Sequence, residues 1–536
     1  AIVLPEVAAV FSDGRYTLQM QDEVDTACFQ IRHITDEPAT DWIKQFAQKG
    51  DLIGYDPWLH TPNGLKVLAD AARSVGAQLV ACDTNPLDAV WVDRPAAPSG
   101  AVVAHPLEYS GHVSLDKRRE IASRLERDGH KAAVLSLPDS IAWLLNIRGS
   151  DLQSIPVVLS FAIIESTGCV DWFVDPSRVS SDVKMHLGDD VRIVPPSDFL
   201  SVIAKISGDG ATIRVDPTSI PVAVTSALIS HGATVHFAAD PCLQAKAIKN
   251  TTELNGFRQA HRRDGAAMVR FLNWFDRHAL GCDEAEVAKT LQAYRAEQDL
   301  YAGLSFPSIA GTGPNGAIVH YHAREGACRT LEAGQLFLLD SGGQYRDGTT
   351  DITRTLPVGE VGAEERRSFT RVLQGHIDLS LTIFPAGTTG SQLDTIARRP
   401  LWSDGLDYDH GTGHGVGSFL SVHEGPQSLS KRPSSVALKP GMVLSNEPGY
   451  YKAGHYGIRI ENLVAVCEVD GGERPMLGFE ILTLVPIDRR LIDVDLLSQE
   501  QLDWLNDYHG RVAEVIGPLV DGEAAVWLAA ATAPLA

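Results

Sequence analysis

Short apolar runs alternate with polar, glycine- and proline-rich breaks along this chain, and the rhythm changes twice. Up to about residue 241 the runs alternate with helical periods, the pattern of β-α-β units. Residues 53–86 (IGYDPWLHTPNGLKVLADAARSVGAQLVACDTNP) and 213–241 (IRVDPTSIPVAVTSALISHGATVHFAADP) repeat one order: apolar strand, Asp-Pro, helix, Gly-Ala, second strand, then Asp and Pro. The repeat predicts two related α/β domains in tandem, 1–105 and 106–241, separated by the loop DRPAAPSG. The second should open with the helix LDKRREIASRLERDG, where Arg118, Ile121 and Leu125 share a face and Gly129 stands at the C-terminal cap. Strand AAVLSL and helix DSIAWLLNI follow. The most apolar run, SIPVVLSFAIIES, falls short of the ~18–20 uninterrupted apolar residues of a membrane span and reads as a buried pair of strands.

Beyond 241 the pattern becomes α+β. Residues 252–278 and 283–298 carry long helical periods, and Asp283 with Glu286 three places on forms a capping-box pattern. Strands with glycine-rich turns follow: GAIVHYH, QLFLLDSGGQYRDGTTDITRTLPV and MVLSNEPGYYKAGHYGIRIENLVAVCEV. A helix-rich tail begins near 498. This third domain, 242–536, is the largest and should hold the chemistry.

Length and charge narrow the function. At 536 residues the chain needs more than one core. Its formal net charge of −22 disfavours nucleic acid and anionic membrane, and KRR at 117–119 is an isolated basic run inside a helical pattern. Seven cysteines, odd in number and without C-x-x-C, point to reduced thiols and a cytoplasmic setting, not to a disulfide framework or thiolate metal site. No targeting segment is seen in AIVLPEV.

The candidate chemistry lies in DYDHGTGHGVG, residues 407–417. His410 and His414 stand four apart, the spacing of helical zinc motifs. Four glycines argue against a helix, at about 1 kcal/mol each relative to Ala. An extended strand instead puts His410, Thr412 and His414 on one side, with glycines thinning the other so that a neighbouring chain can pack close. Carboxylates come in pairs nearby. A hairpin centred on Tyr345-Arg346 would face Asp340 with Asp351, and one around Gly454 would face Glu447 with Glu461. Like charges so placed need a neutralising partner. Four carboxylates and an imidazole suit a pair of hard divalent ions such as Mn²⁺, with zinc or cobalt as alternatives.

These stretches, together with FSDGRY, AWLLNIRGSD, GTGPNGAIVHY, LDYDHGTGHGVGSFLSVHEGP and GIRIEN, resemble the long, three-domain aminopeptidase P (Xaa-Pro aminopeptidase) family, over nearly the whole chain. The resemblance implies two creatinase-like α/β domains followed by a "pita-bread" metallopeptidase domain, with further residues ahead of the first domain. It implies that Asp340 binds one metal, that Asp351 and Glu461 bridge both, and that His414 and Glu447 complete the second. His320, His410 and His423 match the family's substrate-side histidines. Arg459 matches an arginine beside the metals, expected to hold carboxylates by bidentate hydrogen bonds. The implied activity is removal of the first residue from peptides with proline second, with Glu447 moving the water proton and His423 stabilising the oxyanion. A homodimer is implied as well.

Three other protein classes share part of this pattern. Prolidase shares the ligands but takes only dipeptides. Creatinase shares the fold without the metal constellation. A pita-bread module that only binds protein would have lost ligands, and here all five stand.

Overall fold

The computed structural model describes residues 1–13 and 15–536, and these form two compact units. The first comprises 1–107, 112–152 and 156–246; the second comprises 108–111, 153–155 and 247–536.

In the first unit both repeated segments are β-α-β. Strands Leu52–Tyr55 and Gln78–Ala81 flank helix Pro62–Ser74 and pair in parallel. Strands Thr212–Val215 and Thr234–Phe237 flank helix Val222–Ser230 in the same way. Thr212–Val215 belongs to a six-stranded sheet that also includes Ala132–Leu135, Phe161–Glu165 and Val170–Phe173. Helix Ser114–Arg127 buries Arg118, Ile121 and Leu125, as the periodicity predicts. Gly129, at φ +72°, turns the chain out of it into strand Ala132–Leu135. The run 154–166 departs from expectation, because only Phe161–Glu165 is a strand. It pairs with Val170–Phe173 instead of with the segment before it, and Pro156, which has no N–H to give a ladder, lies in that earlier segment.

The second unit is built on antiparallel strands. One sheet joins Ile309–Thr312, Gln335–Ser341 and Ile352–Val358. A six-stranded sheet carries Gly413–Gly415, Glu424–Leu429, Val443–Asn446 and Asn462–Val469, and a hairpin of Gly449–Lys452 with Tyr456–Arg459 stands apart. Helix Ala363–Ser380 buries Phe369, Val372, Leu373 and Ile377 at helical spacing. They share a core with Ile458 and Ile460 of the hairpin region and with Leu505 and Val512 of the C-terminal helix Gln499–Ile516. Helices Thr251–His278 and Glu284–Ala296 start on side-chain caps: Asn250 and Glu253 form a reciprocal box, and Asp283 accepts from the Glu286 N–H at 2.8 Å. No helix among the described residues is long and apolar enough to cross a membrane.

Two local readings change. GAIVHYH is not a strand: a 3₁₀ turn, Gly313–Ala317, leads into a loop that carries His320. The first hairpin turns at Arg346-Asp347, because Tyr345 pairs with Gly348 and Asp340 with Thr353. Two non-local contacts hold that register. The Asp347 carboxylate meets Arg263 on helix Thr251–His278, and a Cβ on Gly348 would lie 3.2 Å from Ala260 and Phe257 of the same helix.

Candidate metal centre

Because Asp340 faces Thr353, Asp351 is its diagonal neighbour on the same sheet face and not its direct partner. The second pair is as expected. Asn446 pairs with Asn462 and Gly449 with Arg459, so the same register puts Glu447 opposite Glu461, with Gly454 turning the hairpin at φ +74°. His414 stands in the short strand Gly413–Gly415. Its Nε2 lies 3.4 Å from Asp351 Oδ2 and 3.5 Å from Glu447 Oε1. Asp351, His414 and Glu461 each offer one donor atom within 4.8 Å of the others.

The flanking glycines let neighbouring backbone approach this strand. A Cβ on Gly413 would sit 2.0 Å from Ser445 O, and one on Gly415 would sit 2.5 Å from Glu424 O. The strand is shorter than predicted, and His410 lies outside it. Thr412 does not join the histidines in a common site, since its hydroxyl donates to Asp394 on helix Gly390–Trp402 at 2.6 Å.

The carboxylates are concentrated where water is scarce. Asp340, Asp351 and Glu461 are buried. Burial pushes Asp351 well above the usual carboxylate range, and the neighbouring Asp340 and Glu447 push it further. Glu461 moves the same way through burial, then Asp351, Asp340 and Glu447. Burial also raises Glu447, against the pull of His414 and Arg459. Asp340 Oδ1 is buried with no hydrogen-bond partner among the described residues. Four acids sharing an interior with one arginine in contact is a donor set that fits divalent cations, oxygen-rich with a single imidazole.

Arg459 does not make the bidentate pair expected of it. Its Nη2 donates to Asp340 Oδ2 at 2.6 Å, its Nε donates to Thr353 Oγ1 at 3.3 Å, and Nη1 donates to the Tyr451 hydroxyl. Tyr451 also meets His410 Nε2 at 2.8 Å. Burial, with Arg459 next, lowers His410 to about 3, so its imidazole is neutral. Burial pushes the Tyr451 phenol up to about 12. Neither Tyr451 nor Thr353 was singled out from the sequence. Period-two spacing was the available signal: Tyr451 lies four residues past Glu447 in an extended segment, and Thr353 two past Asp351.

The remaining histidines surround this cluster. His423 is exposed, its ring centroid 4.1 Å from that of His414. His320 is close enough to His410 to help lower its pKa. The His320 loop is anchored from below by Glu284, a buried carboxylate. Glu284 accepts from the Thr312 N–H (2.7 Å), Asn315 Nδ2 (3.0 Å), the Tyr321 hydroxyl (2.7 Å) and the Arg329 N–H (3.0 Å).

Comparison with known proteins defines the class first. Residues 255–468 match metallopeptidase family M24, residues 93–253 the creatinase/prolidase N-terminal domain, and residues 475–535 the C-terminal region of the M24 peptidases. A probable Xaa-Pro aminopeptidase P of Aspergillus niger is 40% identical over 96% of this chain and 87% of its own length. A counterpart in Laccaria bicolor is 39% identical over the whole chain and 86% of its own length. The X-prolyl aminopeptidase of Caenorhabditis elegans, described as a cytosolic enzyme with a di-nuclear active site, superposes with a TM-score of 0.94 at 35% identity, covering 99% of this chain and 89% of that one. The Xaa-Pro dipeptidase of Bacillus anthracis, at 23% identity and TM-score 0.57 over 70% of this chain and 99% of its own, shares the fold. The chain belongs to metallopeptidase family M24, within its Xaa-Pro aminopeptidase P branch, and has the creatinase-like and pita-bread architecture of that branch.

Proposed function

We propose that this chain removes the N-terminal residue from peptides whose second residue is proline, using two divalent ions. Asp340, Asp351, His414, Glu447 and Glu461 would hold the ions, with Asp351 and Glu461 shared between them. The observation that carries this reading is the convergence of His414 with Asp351 and Glu447 inside a buried, acid-rich cluster. When bound, such ions supply Lewis acidity and make water a nucleophile near neutral pH. Mn²⁺ is the proposed metal, on the oxygen-rich donor set.

The protein's own groups do the rest. Glu447 is partly exposed at the edge of the cluster, so its carboxylate takes the water proton and delivers it to the departing proline nitrogen. His423, next to His414, donates a hydrogen bond to the oxygen that becomes negative. The carboxylates hold the substrate's free α-amine, which restricts cleavage to the first peptide bond. His410, kept neutral and tied to Tyr451, and His423 line the space for the pyrrolidine ring, with His320 on the same substrate side. That ring brings no N–H and a fixed φ, so it loses little entropy on binding.

The relatives named as Xaa-Pro aminopeptidases support this substrate class over the dipeptides of prolidase. A cytoplasmic setting is supported by seven cysteines outside any disulfide and by the relative described as cytosolic. A homodimer is proposed from the family resemblance, and sedimentation checks it. Comparing X-Pro dipeptides with X-Pro-Z tripeptides tests the function: tripeptides should be cleaved after X and X-Ala-Z far more slowly. Cleavage confined to X-Pro dipeptides would replace this reading with prolidase.

A further inference from the structure

The strand Ile352–Val358 has two working faces. Period-two alternation places Thr353 and Thr355 toward the carboxylate cluster and Arg354 on the opposite side. There Arg354 is fully buried. Among the described residues its guanidinium donates to no carboxylate. Nε donates to Pro486 O at 2.9 Å, and Nη1 to Thr353 O at 2.9 Å and Glu461 O at 2.7 Å. Nη2 donates to Asn462 Oδ1 at 2.8 Å, Val485 O at 2.7 Å and the Tyr508 hydroxyl at 3.0 Å. All N–H groups of the fork are used, on acceptors from four separate segments.

Burying a cation against neutral acceptors alone is expensive, and an apolar side chain of similar volume would stabilise a core at least as well. What the arginine adds is geometry. Two of its acceptors are the backbone carbonyls of Thr353 and Glu461, and Thr353 is the residue whose hydroxyl donates to Glu461 Oε2 at 2.8 Å. The fork is itself held from the C-terminal helix. Tyr508 donates to Val485 O at 2.8 Å and accepts from the Val485 N–H at 3.3 Å, which fixes the oxygen that Arg354 meets. Its ring is stacked on Trp504, with centroids 5.3 Å apart and planes 7° from parallel. Trp504 meets the ring of His376 edge-on. His376 joins Asn446 O at 3.1 Å and Asn462 Nδ2 at 3.2 Å, the residues flanking Glu447 and Glu461 in the chain.

We propose that Arg354 and Tyr508 are positioning residues for the metal-holding carboxylates: Tyr508 fixes the Arg354 fork, and the fork fixes the Thr353 and Glu461 backbone that aims the Glu461 carboxylate. The C-terminal helix is thereby part of the metal site although it offers no ligand to it. The inference rests on the reading of Glu461 as a metal ligand.

Chelator-stripped full-length protein titrated calorimetrically with Mn²⁺ tests it, alongside the unfolding midpoint of each variant. Tyr508→Phe keeps the ring stack and removes the hydroxyl. It should weaken Mn²⁺ binding by about threefold or more, less than the roughly 10–100-fold for groups bonded directly to a ligand, because Tyr508 acts through Arg354. Arg354→Lys, which cannot span the acceptors, should weaken it further. Leu505→Ala, a buried apolar truncation in the same helix, should lower the unfolding midpoint and leave Mn²⁺ affinity unchanged. Should Arg354→Lys fail to fold, Tyr508→Phe and Leu505→Ala decide. Wild-type affinity in Tyr508→Phe, or an equal loss in Leu505→Ala, would overturn the positioning role alone. A wild-type protein that takes up no divalent ion would overturn the metal reading and this proposal with it.

Discussion

Thr353 and Glu461 are joined twice: the Thr353 hydroxyl donates to Glu461 Oε2 at 2.8 Å, and the Glu461 N–H donates to Thr353 O at 3.2 Å. The first bond orients the carboxylate and the second locks the strand register beneath it. If Glu461 holds a metal as proposed, a hydroxyl-bearing side chain at 353 helps to aim that ligand. Thr353→Val should weaken Mn²⁺ binding by roughly 10–100-fold, the range for outer partners of ligands, whereas Thr353→Ser should bind nearly as wild type does. Competition titration against a chelator of known affinity measures both. Equal affinity in all three proteins would remove Thr353 from the site.

The metal-free protein should have an inverted acid response. Asp351, Glu461 and Glu447 have folded pKa values raised above their ordinary ones. Between the ordinary and the raised values the folded state binds more protons than the unfolded state, so stability falls as pH rises through that window. Metal-free protein should gain stability when acidified from neutral pH toward the ordinary carboxylate range, and Asp351→Asn should flatten the gain. Saturating Mn²⁺ should reverse the slope, because protons then compete with the ions, and at a hundredfold excess over Kd it should add about 2.7 kcal/mol near neutral pH. Urea unfolding across pH gives these curves. Metal-free protein that only loses stability on acidification would show that the acids are not forced together.

Glu284 should matter to substrate binding from below the site. Its carboxylate answers four donors in and around the loop that bears His320. Glu284→Ala takes the acceptor from all four, and the buried Thr312 N–H, which water cannot reach, should cost about 1–3 kcal/mol. The variant should unfold earlier and show a raised KM for X-Pro-Z as the loop loosens. Unchanged KM in folded Glu284→Ala would mean the loop does not position substrate.

How far the site was legible depends on what decided each register. Glu447 opposite Glu461 follows from even spacing about Gly454, because local turn chemistry sets that hairpin. Even spacing about Tyr345-Arg346 likewise pairs Asp340 with Asp351, two residues short of its true partner Thr353. There the turn is chosen by Arg263 and by the close approach of Gly348 to helix Thr251–His278, contacts made some 80 residues away in sequence. GAIVHYH looked like a strand by its apolar character, yet Glu284 gathers its neighbours into a loop. Tyr451 and Thr353 lay on visible faces of their strands, but their importance comes from Arg459, His410 and Glu461, partners that only the folded chain brings near. The β-α-β repeat and the amphipathic helices were legible throughout, since their periodicity is local.

On the proposed mechanism Glu447→Gln should keep the fold and lower turnover by orders of magnitude, since it would remove both a ligand charge and the group assigned to move the proton. His423→Ala should cost less, about 10²–10³-fold if it supplies one hydrogen bond to the oxyanion. Steady-state rates on one X-Pro-Z peptide compare the two. Near-normal turnover in Glu447→Gln would take Glu447 out of the chemistry.

Removal of a residue ahead of proline should depend on bound metal. Protein stripped with chelator, verified metal-free by elemental analysis, is assayed on X-Pro-Z before and after Mn²⁺ is returned. Cleavage should be negligible in the stripped protein, and release of free X should return as two ions per chain are taken up. Full turnover by protein with no bound metal would contradict it.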